Sequence, residues 1–136
     1  MGINSGSYSW NWANPEYTSY YTDETGNLHI VAWKDQTLYD ATCNSDLNVT
    51  NVTTVKLPLP LWGGFYAAPD GNFYVAAGQK NLNEDNSITA VRILKYSRAW
   101  KLLGVTDIGG GYTNMFEGIY IPFDAASLRM TQIGST

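Results

Sequence analysis

Cysteine occurs once, at Cys43, and histidine once, at His29. A single thiol excludes an intramolecular disulfide and a cysteine-built metal cluster. Cys43 therefore reads as a small packing residue in or beside a strand. A single imidazole gives a Ser-His-Asp triad or a His-rich metal site little to draw on. His29 lies in the apolar run Leu28-His29-Ile30-Val31-Ala32-Trp33 and reads as a hydrogen-bonded structural residue, with a ligand contact as the alternative. Charge is scarce as well: 15% of residues are charged, and eight Lys and Arg against twelve Asp and Glu leave a net −4. The cations are scattered, so no basic patch exists to neutralise phosphates, which argues against nucleic acid and against an anionic membrane surface. No apolar run approaches the length that spans a bilayer, and helix formers are concentrated nowhere. The polar opening Met-Gly-Ile-Asn-Ser-Gly-Ser lacks the basic and apolar regions of a secretory signal.

What is abundant is Tyr, Trp, Gly, Asn, Thr and Ser, a profile that resembles extracellular β proteins. Trp62-Gly-Gly-Phe-Tyr-Ala-Ala-Pro-Asp-Gly-Asn-Phe-Tyr-Val-Ala-Ala-Gly78 reads as two short strands about a turn at Pro69-Asp70-Gly71-Asn72. Proline presets φ, Asp-Gly supplies a tight turn, and the flanking aromatic and β-branched residues favour a pleated surface. The same design stands earlier in residues 17–33, where Gly26-Asn27 matches Gly71-Asn72 at an offset of 45 (71 − 26). A self-similar unit of this length predicts arrays of small sheets.

The first repeat, about 17–57, is expected to hold strands at 17–23, 27–33, 37–41 and 47–57. In the fourth, Leu47, Val49, Val55 and Leu57 share one parity, which predicts a half-exposed outer strand. Pro58-Leu59-Pro60 is a connector, because proline cannot serve a central ladder. The second repeat, about 61–108, is expected to hold strands at 64–68, 72–77, 88–96 and 101–108. Residues 28–33 and 88–94 are apolar on both parities, which predicts cover on both faces. Tyr8, Trp10 and Trp12 alternate with polar residues and could pin the N-terminus to a sheet or form an aromatic platform. After Gly109-Gly110-Gly111, residues 123–131 read as the first strand of a third unit, about 123–136. The expected fold is thus all-β and antiparallel, one domain over 1–136: a partial β-propeller of about two four-stranded blades plus one strand.

The pattern Gly63-Gly64-Phe65-Tyr66, Asp70-Gly71-Asn72-Phe73-Tyr74-Val75, Gly78-Gln79-Lys80-Asn81 and Lys95-Tyr96 resembles blades of uncharacterised propeller-like proteins of bacteria, secreted or surface-attached. Pro122-Phe123-Asp124 and Ser127-Leu128-Arg129-Met130 resemble the start of a further blade. The resemblance covers roughly 17–133, with Ala125-Ala126 where a glycine is expected. It implies an extracellular or cell-surface location and carries no activity.

Two blades cannot close a ring alone, so self-association through blade faces or strand edges into a homo-oligomer is expected. The adjacent carboxylates Asp23 and Glu24, or Glu84 and Asp85, sit at turns and do not form the converging pair a glycosidase needs. No cofactor motif is present, because the Gly109–111 run lacks the lysine and helix of a phosphate loop. The oxygen-rich stretch 81–86 reads as a polar loop or a calcium loop. Asn48 and Asn51 match the glycosylation acceptor pattern, with Asn48 on the polar parity. The leading expectation is a non-enzymatic binding or structural module. One alternative is a lectin-like propeller, with Trp33, Trp62, Tyr66 and Trp100 stacking on sugar rings and Asn81 bonding hydroxyls. The other is a non-catalytic fragment of a glycan-processing propeller enzyme.

Overall fold

A computed structural model describes residues 17–109, 122–123, 130–131 and 133. The expected strand around Tyr8, Trp10 and Trp12 lies outside the described residues, as does most of the expected third unit. The described chain forms two antiparallel four-stranded sheets in simple meander order. The first holds β1 (Thr18–Thr22), β2 (Leu28–Lys34), β3 (Thr37–Cys43) and β4 (Val49–Lys56); the second holds β5 (Leu61–Ala67), β6 (Asn72–Gly78), β7 (Thr89–Ser97) and β8 (Leu102–Gly109). All eight strands fall where alternation and turn residues predict them, with ends shifted by a few residues.

Local chemistry sets the turns. At β1–β2, Gly26 N–H donates to the Asp23 carbonyl at 3.1 Å, and at β5–β6 Gly71 N–H donates to the Ala68 carbonyl at 3.2 Å. Both glycines lie in the left-handed region, φ 86° and 80°, where a side chain would be strained. At β3–β4 and β7–β8 the strained position is filled by larger residues, Leu47 at φ 61° and Trp100 at φ 58°. The β2–β3 turn is two residues long, whereas β6–β7 runs through a loop over residues 79–88.

The two sheets share the same meander order and have similarly placed first and last turns. The offset is 45 at the first turn (71 − 26) and 53 at the last (100 − 47), the longer β6–β7 loop supplying the difference. In each sheet the outer strand carries a bulge opposite the end of its neighbour: Cys43 pairs Val49 after Thr42 pairs Asn51, and Tyr96 pairs Leu102 after Lys95 pairs Gly104. A bulge shifts parity by one, which moves every later side chain to the opposite face. The expectation that Leu47 and Val49 share the face of Val55 is corrected for this reason. Val49 belongs to the outward face and is 58% exposed.

The sheets stack face to face. Val31 and Leu38 of the first and Phe73, Val75, Ala77, Leu94 and Tyr96 of the second form one buried cluster, joined by Leu57, Leu59 and Trp62 from the connector and the start of β5. Burying Phe73 completely against this cluster is worth roughly 2–3 kcal/mol by transfer alone. Strand β7 is buried on both parities, as its sequence predicts: Leu94 inward and Val91 outward. Strand β2 departs from that expectation. Its Val31 is buried, yet Ile30, on the opposite face, is 37% exposed, because only one face of the first sheet is covered by the second.

Candidate functional site

A knot of polar side chains sits where the two sheets meet. On β2 and β3 the inward parity brings His29 and Asp40 to the interface, and β1 brings Tyr21 beside them. Asp40 is 4% exposed, and burying a carboxylate demands donors. It has three. The Tyr21 hydroxyl donates to its Oδ2 at 2.8 Å, the Trp100 indole N–H donates to the same oxygen at 2.7 Å, and His29 Nδ1 lies 2.8 Å from Oδ1. Because a carboxylate can only accept, His29 carries its proton on Nδ1. The Tyr21 ring stacks on the His29 imidazole, with centroids 4.5 Å apart.

The turn residues close this knot towards solvent. Asp23 accepts from the Thr25 and Asn27 backbone N–H groups and from both their side chains, and its Oδ2 lies 3.3 Å from His29 Nε2. Those donors, Asn27 foremost, hold the Asp23 carboxyl well below its ordinary pKa. Burial, followed by the hydrogen bond and charge of Asp40, pushes the Tyr21 phenol far above its ordinary range. Arg98, from the β7–β8 turn, lies over the Phe73 ring at 4.7 Å and the Tyr21 ring at 5.4 Å, and donates to the Ala68 carbonyl at 3.1 Å. Between these groups and Pro69 and Gly71 opens a cleft of about 450 Å³.

This arrangement pins one sheet to the other. Trp100 belongs to the second sheet and Asp40 to the first, so their bond crosses the interface, while the indole packs on Phe73 at 4.5 Å and Tyr96 at 5.5 Å. His29 has the partner carboxylate of a catalytic dyad, but its Nε2 faces Asp23 rather than a hydroxyl nucleophile, and Thr25 Oγ is itself bonded to Asp23. Among the described residues no group of three or more His, Cys, Asp and Glu is arranged to hold a metal.

Of the aromatic residues expected to meet a sugar, Trp33 and Trp62 are brought together, while Trp100 and Tyr66 lie elsewhere. Trp62 is 5% exposed and stacks on Trp33 at 6.1 Å; Trp33 also stacks on Tyr17 at 5.5 Å, and its buried indole N–H has no hydrogen-bond partner among the described residues. Trp100 is built into the knot. Tyr66 pairs with Tyr74 on the opposite, outward face of the second sheet. Asn81 is buried in the β6–β7 loop, where its amide bonds the Asp85 backbone N–H at 3.0 Å and carbonyl at 2.9 Å. Asn48 and Asn51 are both exposed, and Cys43 is buried.

Sequence reasoning foresaw a hydrogen-bonded His29 and missed Asp40, Tyr21 and Arg98. The signal for Asp40 was present: within Leu38-Tyr39-Asp40-Ala41 it shares the parity of Leu38, an apolar position where a carboxylate needs partners. Comparison with protein-family models, curated proteins and solved structures found no match.

Proposed function

We propose that this chain is a non-enzymatic blade-type module that works by assembly through its sheet faces, at the cell surface or outside the cell. The carrying observation is the open face of the first sheet. There the cross-strand row Tyr20, Ile30, Ala41 and Val52 spans all four strands, with Tyr20 80%, Ile30 37% and Val52 50% exposed. Nearby Tyr39 and Val49 enlarge the patch. Contiguous exposed apolar surface of this kind marks an interaction site. Its counterpart in the second sheet, the row Phe65, Val75 and Leu94, is packed into the core.

A structural role for the polar knot agrees with this reading, because its groups are consumed by one another. The lectin alternative draws less support, since the Trp33, Trp62 and Trp100 indoles are spent on packing between sheets. Light scattering over a dilution series tests the proposal. A small stable oligomer at micromolar concentration is expected, and a strictly monomeric chain would refute it.

A further inference from the structure

We infer that two copies of this chain pair through the free edge of β4, antiparallel about a twofold axis at Val52, so that their first sheets join into one sheet of eight strands, four from each copy. The contact is made by strand edges and stands apart from the sheet-face assembly proposed above.

Strand β4 lies at the edge of its sheet and, among the described residues, pairs with β3 alone. The register tells which backbone groups it leaves free. Leu57 N–H donates to the Gln36 carbonyl at 2.9 Å, and the same register pairs Val55 with Leu38, Thr53 with Asp40 and Asn51 with Thr42. In an antiparallel ladder a strand turns its N–H and C=O to one neighbour at every second residue. Leu57, Val55 and Thr53 thus face β3, and the residues between them, Thr54 and Val52, turn their backbone groups to the open edge. Residues 49–52 and 54 are exposed.

The sequence of the strand says what can pair with it. An open edge accepts any extended chain, but a twofold pair requires a strand that matches its own reverse. Val49-Thr-Asn-Val-Thr-Thr-Val55 does so closely. Reversed about Val52, it sets Val52 opposite Val52, Thr50 opposite Thr54 and Asn51 opposite Thr53. Thr–Thr pairs are favourable across strands, and valine suits a pleated surface. The centre also falls on a residue whose N–H and C=O face the edge, so the two Val52 residues exchange both of their bonds. The bulge opposite Cys43 puts Val49 on the other face from Val55, and the ladder therefore runs over 50–54 and ends there. No charge lies within 49–55, and the two Lys56 side chains come at opposite ends of the pair.

The other three edges are less suited. Strand β5 contains Gly63 and Gly64, with a register shift beside them. Strand β8 contains Gly104 and Asp107, the latter ion-paired to Arg92. Strand β1 has five residues, and its Tyr21 is held in the polar knot. Strand β4 is the longer, uncharged, proline-free edge, the kind that templates pairing with another chain. Joining two such edges carries the row Tyr20, Ile30, Ala41 and Val52 through the axis into the same row of the second copy.

Light scattering on the parent and two variants tests the pairing. Val52→Pro removes the N–H at the axis from each copy and no bond to β3, a place where an edge strand tolerates proline. Should it fail to fold by circular dichroism, Val52→Lys, which sets like charges opposite each other, replaces it. Tyr20→Lys charges the open face on β1, at the far edge of the sheet. The parent and Tyr20→Lys are expected at twice the mass of one chain, 15.1 kDa. The variant at Val52 is expected to associate about tenfold more weakly or worse, from two lost ladder bonds, and to fall to one chain at micromolar concentration. The register is read by mixing Asn51→Cys with Thr53→Cys. These positions face each other in a non-hydrogen-bonded pair, where side chains lie closest, so the mixture is expected to form a disulfide-linked dimer under oxidation and neither variant alone. A Val52 variant with the parent's mass would overturn the inference, as would a mixture that does not cross-link or links no better than its components. Dissociation by Tyr20→Lys would overturn it too and leave the sheet-face proposal standing. A strictly monomeric parent would overturn both.

Discussion

Replacing Asp40 by isoleucine, the residue at the corresponding place in the second sheet, separates two opposing effects. The change removes a buried carboxylate, which relieves its desolvation. It also leaves the Trp100 indole N–H, 2.7 Å from Asp40 Oδ2, with no acceptor. The Tyr21 hydroxyl can turn to His29 Nδ1, 2.9 Å away, once the imidazole moves its proton to the other nitrogen. An orphaned buried donor costs about 1–3 kcal/mol, and the bond it loses was charge-assisted, so the single variant is expected to lose about 1–3 kcal/mol. Trp100→Leu alone removes ring packing on Phe73 and Tyr96 and should cost about 3–5 kcal/mol. The double variant is apolar at both places, with neither donor nor acceptor stranded. Its loss should therefore fall short of the sum of the single losses by about 1–3 kcal/mol, the range for groups in direct contact. Urea unfolding followed by circular dichroism, with equal slopes across the four proteins, gives these differences directly. Losses that add to within about 0.5 kcal/mol would refute the claim that Asp40 and Trp100 pin the sheets as a pair.

Other outcomes follow from the same geometry. Phe73→Ala, at a fully buried ring touching Tyr21, Phe65 and Trp100, should cost about 3–5 kcal/mol in the same assay. Tyr21 and Tyr96 are both raised above the ordinary phenol pKa, chiefly by burial. The stability they contribute is present below pH about 10, the unfolded value, and declines as pH rises towards the folded values. Absorbance titration should show both phenols ionising only as the chain unfolds, and ionisation within the folded protein would contradict this. Asp70 is held at about 2, first by the Asn72 side chain and also by Tyr74 and Lys95. Its contribution to the β5–β6 turn is present above pH about 4 and is lost as pH falls through the folded value, which NMR titration of the Asn72 and Tyr74 signals can follow. At Gly71 a Cβ would meet open space, so Gly71→Ala should cost only the strain of its left-handed φ, about 1–2 kcal/mol. Gly63→Ala should displace the Phe123 ring, read as a change in its aromatic NMR signals.

What the sequence by itself determined here is local. Period-two alternation and the Asp-Gly, Gly-Asn and Pro-rich breaks placed eight strands and their turns, because a strand's alternation and a turn's φ requirements act within a few residues. The left-handed turn glycines Gly26 and Gly71 were legible for the same reason. The tertiary structure decided which face each residue occupies. The bulges beside Cys43 and Tyr96 reverse parity within an outer strand, and they exist only through pairing with the neighbouring strand. That reversal put Val49 outside, where its alternation had placed it with Val55. The apolar run 28–33 showed that β2 has two faces fit for burial, but only the stacking of the sheets determined that one of them stays open. Likewise Asp40, His29, Tyr21 and Trp100 are spread over eighty residues (100 − 21 = 79 apart at the extremes). Their knot arises because the second sheet sets Trp100 over the inward face of the first, a contact between side chains far apart in the chain that no local pattern encodes.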